Sequence, residues 1–118
     1  MNLSELMEKA KAGNAQAQFD LGLAYFEGRG VEKDIGIAAE WFRKAAKQDF
    51  ADAQFNLGIL YGQGHLGFPY VEVYPDASVH NLGEVTMHEA NKKMMGAWLL
   101  RASVLGHKQA GEVLDAHF

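Results

Sequence analysis

Hydrophobic residues recur along this chain with the period of an α-helix. Small and aromatic residues define one helical face in residues 17–25 and another in residues 38–45. The first face is Ala17, Leu21, Ala24 and Tyr25, and the second is Ala38, Trp41, Phe42 and Ala45. Between them, Gly28 and Gly30 allow the backbone to leave the first helix, and Asp34 is a good N-cap for the second. The pattern therefore predicts a helix pair.

The helix pair occurs twice, and the second copy is split. Residues 17–25 read AQFDLGLAY and residues 53–61 read AQFNLGILY, an offset of 36 residues. Trp41 recurs as Trp98 at an offset of 57, so the second copy contains 21 extra residues. A fixed period of this size is typical of stacked helical repeats. Gly22 and Gly58 recur in mid-helix, where glycine is costly, which predicts that a neighbouring helix approaches closely there.

The recurring residues resemble the Sel-one-like repeat family, a branch of the tetratricopeptide-like helical solenoids. Repeat one carries the pattern at Ala17, Gln18, Leu21, Gly22, Tyr25, Gly28, Gly30, Val31, Asp34, Ala38, Trp41, Phe42, Lys44, Ala45 and Ala46. The second copy keeps Ala53, Gln54, Leu57, Gly58, Tyr61, Gly64, Trp98 and Ala102, and departs from the pattern at Leu99, Ser103 and the turn between its helices. The resemblance implies an all-α, right-handed α-α superhelix and an adaptor that binds proteins, with no catalytic residues or cofactors.

The repeat offsets divide the chain into a single domain of about six helices. We expect a capping helix over residues 3–12, repeat one over 15–48, repeat two over 51–105 and a C-terminal capping helix over 107–117. Asn2 and Glu5 are a plausible capping pair for the first helix. Thr86 and Glu89 have capping-box spacing, which predicts that the helix after the insertion begins near Met87.

The insertion, at about residues 65–86, is the strongest sequence clue to a specific function. Alternating apolar residues from Tyr70 to Tyr74, followed by Pro75 and Asp76, predict an extended segment and a turn, compatible with a short β-hairpin. These apolar side chains either cover an edge of the helix stack or anchor a partner, because exposed aromatic residues dominate interface energies. The candidate partner-binding residues are Phe68, Tyr70, Glu72, Tyr74, Asp76 and Glu84.

Charge is unevenly distributed and points to a basic protein partner. The 118 residues carry a net charge of −4, which argues against nucleic acid or an anionic membrane as the partner. From Gln48 to Asn91 there is no Lys or Arg, although the same stretch contains six acidic residues. This distribution is either chance or an acidic surface that steers a basic partner. The chain has no cysteine and no visible secretory signal, so we expect a cytoplasmic location.

No residue set in the sequence indicates catalysis. The one metal site that the sequence allows combines His65, His80 and His88 with Glu84 or Glu89, but solvated or helix-capping histidines are the commoner outcome. No serine lies in a nucleophile motif, and cysteine is absent. Gln18 and Gln54 recur with the repeat, which favours structural hydrogen bonds over a site.

Four functional hypotheses follow from these observations. We favour a non-enzymatic module that binds a basic protein partner through its concave face and the aromatic, acidic insertion. The first alternative is a bacterial immunity protein or antitoxin that neutralises a basic, nuclease-like toxin domain. A metal-dependent enzyme that uses the insertion histidines is a lesser alternative. In the fourth, the aromatic insertion contacts a second copy, and a monomer or a weak homodimer is expected.

Overall fold

The computed structural model describes residues 2–63 and 87–117, which form six α-helices. They are α1 (Leu3–Lys11), α2 (Ala15–Glu27), α3 (Ile35–Ala46), α4 (Ala51–Gly62), α5 (Met87–Val104) and α6 (Lys108–His117). The expected start of a helix near Met87 is confirmed. The expected β-hairpin falls within residues 65–86, outside the described residues, and stays a prediction.

Short polar side chains begin the first three helices. The Oδ1 atom of Asn2 accepts a hydrogen bond from the backbone N–H of Glu5 at 2.9 Å. Asp34 accepts one from Ile37 N at 3.0 Å, and Asn14 accepts one from Ala17 N at 2.8 Å. Each bond satisfies one of the backbone donors that a helix start leaves unpaired. The predicted caps Asn2 and Asp34 are therefore confirmed.

The helices stack in chain order. Each helix has its main contacts with the helix before it and the helix after it, and the most extensive contact is between α4 and α5. The second helix pair therefore closes in space, although 24 residues separate Gly62 from Met87 in the chain. In both repeats the first helix of the pair (α2 or α4) packs along the second (α3 or α5).

Close helix contact within each pair depends on glycine. A Cβ atom at Gly22 would lie 2.6 Å from the Cε1 atom of Phe42 and 3.2 Å from the carbonyl oxygen of Ala38. At Gly58 a Cβ atom would lie 3.2 Å from the carbonyl oxygen of Met95. Real side-chain carbons rarely approach so closely, so both glycines leave room for the partner helix, as predicted from their recurrence.

The turns that join one unit to the next are built identically three times. Gly13, Asp49 and Gly106 stand at equivalent positions, and all have positive φ, at 103°, 61° and 95°. The residue after each of them donates a backbone hydrogen bond five residues back: Asn14 to Lys9, Phe50 to Ala45 and His107 to Ala102, at 3.1, 3.3 and 2.9 Å. Positive φ favours glycine, so Asp49 occupies a position that costs an L-residue some free energy.

The two repeat glutamines make equivalent buried hydrogen bonds. The Nε2 atom of Gln18 donates to the carbonyl oxygen of Ala10, and that of Gln54 donates to Ala46, both at 3.0 Å. Both bonds link a first helix to the last turn of the preceding unit. The expected structural role of these glutamines is confirmed. At the third junction Gly111 replaces glutamine, and a Cβ atom there would lie 3.4 Å from the Oγ atom of Ser103.

The core consists of three clusters of buried side chains along the stack, and the half-buried Tyr25 packs against two of them. Its largest fully buried apolar side chains are Phe42, Leu21, Leu57 and Leu99. Trp41 packs against the cluster that joins α1 to α2, so it fills space between units. A cation at the same repeat position lies over the ring face of each tryptophan: Lys44 lies 4.4 Å from the ring centre of Trp41, and Arg101 lies 4.9 Å from that of Trp98.

Adding one methyl group should have opposite effects at two helical glycines. We expect Gly22→Ala to lower the free energy of unfolding by about 1 kcal/mol, because overlap with the buried Phe42 ring outweighs the gain in helix propensity. We expect Gly111→Ala to raise it by about 0.5–1 kcal/mol, because the new methyl makes only ordinary contact with Ser103. Chemical denaturation of the two variants measures both effects, and a stabilising Gly22→Ala would contradict the close contact.

Candidate functional site

An apolar groove lies between the first helices of the two repeats. It encloses about 250 Å³ between α2 and α4, with Phe42 of α3 at its floor. Its lining residues are Leu23, Phe26, Glu27, Phe42, Phe55, Asn56, Ile59, Leu60 and Gln63, and these residues define "the groove" below. The apolar wall residues Leu23, Phe26, Phe55 and Ile59 are half-buried, so their faces remain accessible.

The repeat itself builds the groove. Leu23 and Ile59 are equivalent residues at the 36-residue offset, so successive first helices present matching apolar side chains. Phe26 extends the wall at the C-terminal end of α2, where its counterpart Gly62 is held against Met95 of α5. The polar edge consists of Glu27, Asn56 and Gln63. A partner side chain entering here would meet an apolar floor and a polar rim, the usual arrangement of a protein-binding pocket.

Charge separates between the two sets of helices. The first helices of the repeats, α2 and α4, contain Asp20, Glu27 and Asp52 but no Lys or Arg. The second helices, α3 and α5, hold five basic residues, Arg43, Lys44, Lys92, Lys93 and Arg101, against two acidic ones, Glu40 and Glu89. The groove between α2 and α4 is therefore lined by an acidic residue and by no basic one. Such a site favours partner segments that carry Lys or Arg beside an apolar side chain.

Two exposed acidic residues, of which only Glu27 lines the groove, have cations of this chain as neighbours. Glu27 lies 2.7 Å from the Nε atom of Arg29, and Asp49 lies 3.6 Å from the guanidinium of Arg101. Both pairs are largely exposed, and exposed ion pairs contribute only about 0–1 kcal/mol. Glu27 can therefore exchange Arg29 for a cation of a partner at little cost.

His107 supports one wall of the groove. Its ring stacks on Phe55 with 4.6 Å between the ring centres and 16° between the planes. Its Nδ1 atom accepts a hydrogen bond from Ala110 N at 3.1 Å, which caps α6. Its Nε2 atom lies 3.0 Å from the Oδ1 atom of Asp52, which suits a neutral ring protonated at Nε2. His107 is thus a structural histidine that links α4 to α6.

The site residues predicted from sequence lie in another part of the chain. Phe68, Tyr70, Glu72, Tyr74, Asp76 and Glu84 are outside the described residues and stay predictions. The proposed metal ligands His65 and His80 are outside as well, and so is the side chain of His88. Within residues 2–63 and 92–116, no three His, Asp or Glu side chains converge to hold a metal ion.

Comparison with known proteins agrees with this architecture. The Sel1 repeat family model matches residues 15–50 and 51–72, about half of the chain. The crystal structure of a Sel1 repeat protein from Oxalobacter formigenes superposes with a TM-score of 0.69, at 28% identity over 98% of this chain and 71% of that one. The chain belongs to the Sel1-like repeat family.

Two Escherichia coli proteins are also similar to this Sel1-like repeat chain. A protective antigen of uropathogenic strains with an SLR fold has a TM-score of 0.72 and 30% identity, over 97% of this chain and 20% of the antigen. The secretory immunoglobulin A-binding protein EsiB is 47% identical over 45 residues, which are 38% of this chain and 9% of EsiB. The chain thus spans a small fraction of both relatives.

Family membership confirms the predicted all-α fold. Sel1 repeats are protein-interaction modules, and the family is generally a non-enzymatic scaffold. Many motif residues of the Sel1 repeat are buried in the structure, namely the helix-contact glycines, the glutamines and the small residues of the core. No helix in the described ranges combines the length and apolar character needed to cross a membrane.

Sequence reasoning alone did not identify the groove, although a signal for it was present. The packing face of α2 was assigned to Ala17, Leu21, Ala24 and Tyr25, yet Leu23 and Phe26 project from other sides of the same helix. A helix that is apolar all round must bury or use its second face. The recurrence of Leu23 as Ile59 would have marked that face as a shared surface.

Replacing His107 tests its structural role beside the groove. We expect His107→Ala to lower the free energy of unfolding by about 1–2 kcal/mol, because it removes both the helix cap and the ring against Phe55. His107→Asn keeps a capping group but removes the ring, so its free energy of unfolding should lie between those of the parent and His107→Ala. Thermal and urea unfolding measure the series, with the exposed Lys108→Ala as control, expected within about 0.5 kcal/mol of the parent. Equal effects of His107→Ala and Lys108→Ala would contradict the role.

Proposed function

We propose that this Sel1-like protein binds a partner protein by taking an apolar side chain of the partner into the groove, with basic residues of the partner beside it. The observation that carries the proposal is the half-exposed apolar wall formed by Leu23, Phe26, Phe55 and Ile59. Burying one large apolar side chain contributes about 1.5–3 kcal/mol, and a few such anchors commonly dominate an interface.

The charge pattern supports a basic partner. Neither α2 nor α4 provides a cation that would repel Lys or Arg, and Glu27 stands at the rim. Acidic groups around an apolar anchor site speed the encounter with a basic segment and fix its orientation. A partner without basic residues would gain only the apolar part of this interaction.

The insertion extends the proposed site. Residue 64 follows Gln63 directly, and Gln63 lines the groove. We therefore keep Phe68, Tyr70 and Tyr74 as proposed anchors, and Glu72, Asp76 and Glu84 as proposed acidic contacts. EsiB is named for binding secretory immunoglobulin A, a protein ligand. Because the match covers only 9% of EsiB, that name supports a protein as the class of ligand and nothing more specific.

Peptide selection followed by variants of the rim tests the groove. Peptides selected from a random displayed library on the parent protein should carry an apolar residue flanked by Lys or Arg. The double variant Glu27→Lys with Gln63→Lys should weaken their binding roughly tenfold or more at low salt, measured by fluorescence anisotropy, because it places like charges at the groove. Both substituted residues are exposed, so folding should be unaffected.

A matched variant separates a local effect from net charge. Ser4→Lys with Glu40→Lys makes the same total charge change at exposed positions on α1 and α3, away from the groove. Peptide affinity should stay within about twofold of the parent, apart from weak long-range effects. Equal losses in the two double variants, or selected peptides without basic residues, would refute the groove as the binding site.

Immunity against a basic toxin domain is the second candidate function, and the absence of Lys and Arg from Gln48 to Asn91 favours it. If the protein encoded by an adjoining gene is such a toxin, the triple variant of Glu72, Asp76 and Glu84 to Lys should abolish both inhibition and binding, because it reverses the steering charge. Calorimetry and a toxin activity assay measure the two effects. Unchanged affinity would exclude the acidic insertion as the contact. The cytoplasmic location stays a prediction.

A further inference from the structure

The outer face of α5 carries an exposed apolar ridge. Among the described residues, the exposed large hydrophobic side chains are Leu100, Val104 and Leu105, at 57%, 78% and 47% exposure. Leu100 and Val104 are four residues apart and lie along one side of the helix, and Leu105 follows in the turn after it. These three residues define "the ridge". A contiguous apolar patch on a surface commonly marks an interaction site, whereas single exposed apolar residues do not.

The first repeat provides an internal control for the ridge. At the 57-residue offset, Leu100, Val104 and Leu105 correspond to Arg43, Lys47 and Gln48. The exposed Ala97 likewise corresponds to Glu40. The same helix position is therefore polar in repeat one and apolar in repeat two, so folding of the helix pair does not require apolar residues there. The ridge is a property of the second repeat alone.

Charges around the ridge are opposite to those around the groove. Residues 92–104 of α5 contain Lys92, Lys93 and Arg101 and no acidic residue, and α6 begins with Lys108, while Asp49 from the turn before α4 lies 3.6 Å from Arg101. The helices α2 and α4 on either side of the groove contain acidic residues and no basic one. One chain thus carries both an apolar ridge with basic neighbours and an apolar groove with an acidic rim.

We propose that the ridge of one copy docks into the groove of a second copy, so that the protein associates head to tail. Leu100 and Val104 would enter between α2 and α4, and Lys93 and Arg101 would face the acidic side of the groove. The ridge has the chemistry that the proposed function requires of any groove ligand, an apolar anchor beside basic residues, and the inference rests on that function. Self-association would therefore compete with a foreign partner for one groove.

The charges argue against the symmetric alternative. Two ridges facing each other would bring Lys93 and Arg101 of both copies together, and like charges across an interface oppose association. A groove-to-ridge contact is heterologous instead, since each copy uses two different surfaces. It leaves one groove and one ridge unused at the ends of every assembly, so association continues with rising concentration.

Sedimentation of two complementary variants tests the proposal. The ridge variant Leu100→Arg with Val104→Lys carries the residues that stand at these positions in repeat one, so it should fold. The groove variant is Glu27→Lys with Gln63→Lys. We expect the weight-average mass of the parent to rise with concentration beyond the dimer and each variant alone to stay monomeric. An equimolar mixture of the two variants should form a dimer and nothing larger, because only one working groove and one working ridge remain.

A charge-matched control and three contrary results complete the test of head-to-tail association. Ser4→Lys with Glu40→Lys should associate like the parent, which excludes a general charge effect. A parent that stays monomeric at all concentrations, or a groove variant that still dimerises through the ridge, would overturn the proposal. Peptide binding, measured on the parent and on the ridge variant, separates the failure of self-association from the failure of the proposed function. If the parent is monomeric but the groove still binds selected peptides, only self-association is refuted. If the groove binds neither a second copy nor the peptides, the proposed function is refuted too.

Discussion

Close contact between the two helices of each pair is the constraint on which the rest of the structure depends. With no side chain at Gly22, the ring of Phe42 lies directly on α2, and with none at Gly58, the backbone of α5 approaches α4 in the same way. This approach buries Phe42, Leu57 and Leu99 completely and turns the remaining apolar residues of α2 and α4 outward on their other side. The groove is therefore a consequence of how tightly the pairs close.

Because packing closes the pair, the chain connection between its helices is free to vary. The link between α2 and α3 is short, whereas 24 residues join α4 to α5, yet each first helix packs along its second helix. Loop-closure entropy grows slowly, by about 0.6 kcal/mol for each doubling of length, so the longer link costs little more than 1 kcal/mol. The contact between α4 and α5 depends on Gly58 and not on the link, so the second repeat can accept a long insertion and still stack on the first.

Roles set by local chemistry or marked by recurrence could be predicted, whereas contacts that depend on the whole fold could not. The caps Asn2 and Asp34 follow from local hydrogen-bonding chemistry, and the roles of Gly22 and Gln18 follow from their copies at Gly58 and Gln54. His107 occupies a cap position held by Asn14 in the first unit, but its stacking on Phe55 depends on the fold bringing α4 and α6 together. The ridge could be recognised only once burial showed which side of α5 faces solvent.

The separation of charge between first and second helices connects the two proposed interactions. The same repeat that lines a groove without cations places Arg101 and its basic neighbours on the opposite set of helices. The second helix α5 of another copy offers the groove apolar side chains beside basic ones. A foreign basic segment with an apolar residue offers the same chemistry. Since one groove cannot hold both, each must reduce the apparent affinity of the other by the fraction of grooves that it occupies. Dilution and partner concentration then decide between assembly and recognition, without any change in the fold of the helix pairs.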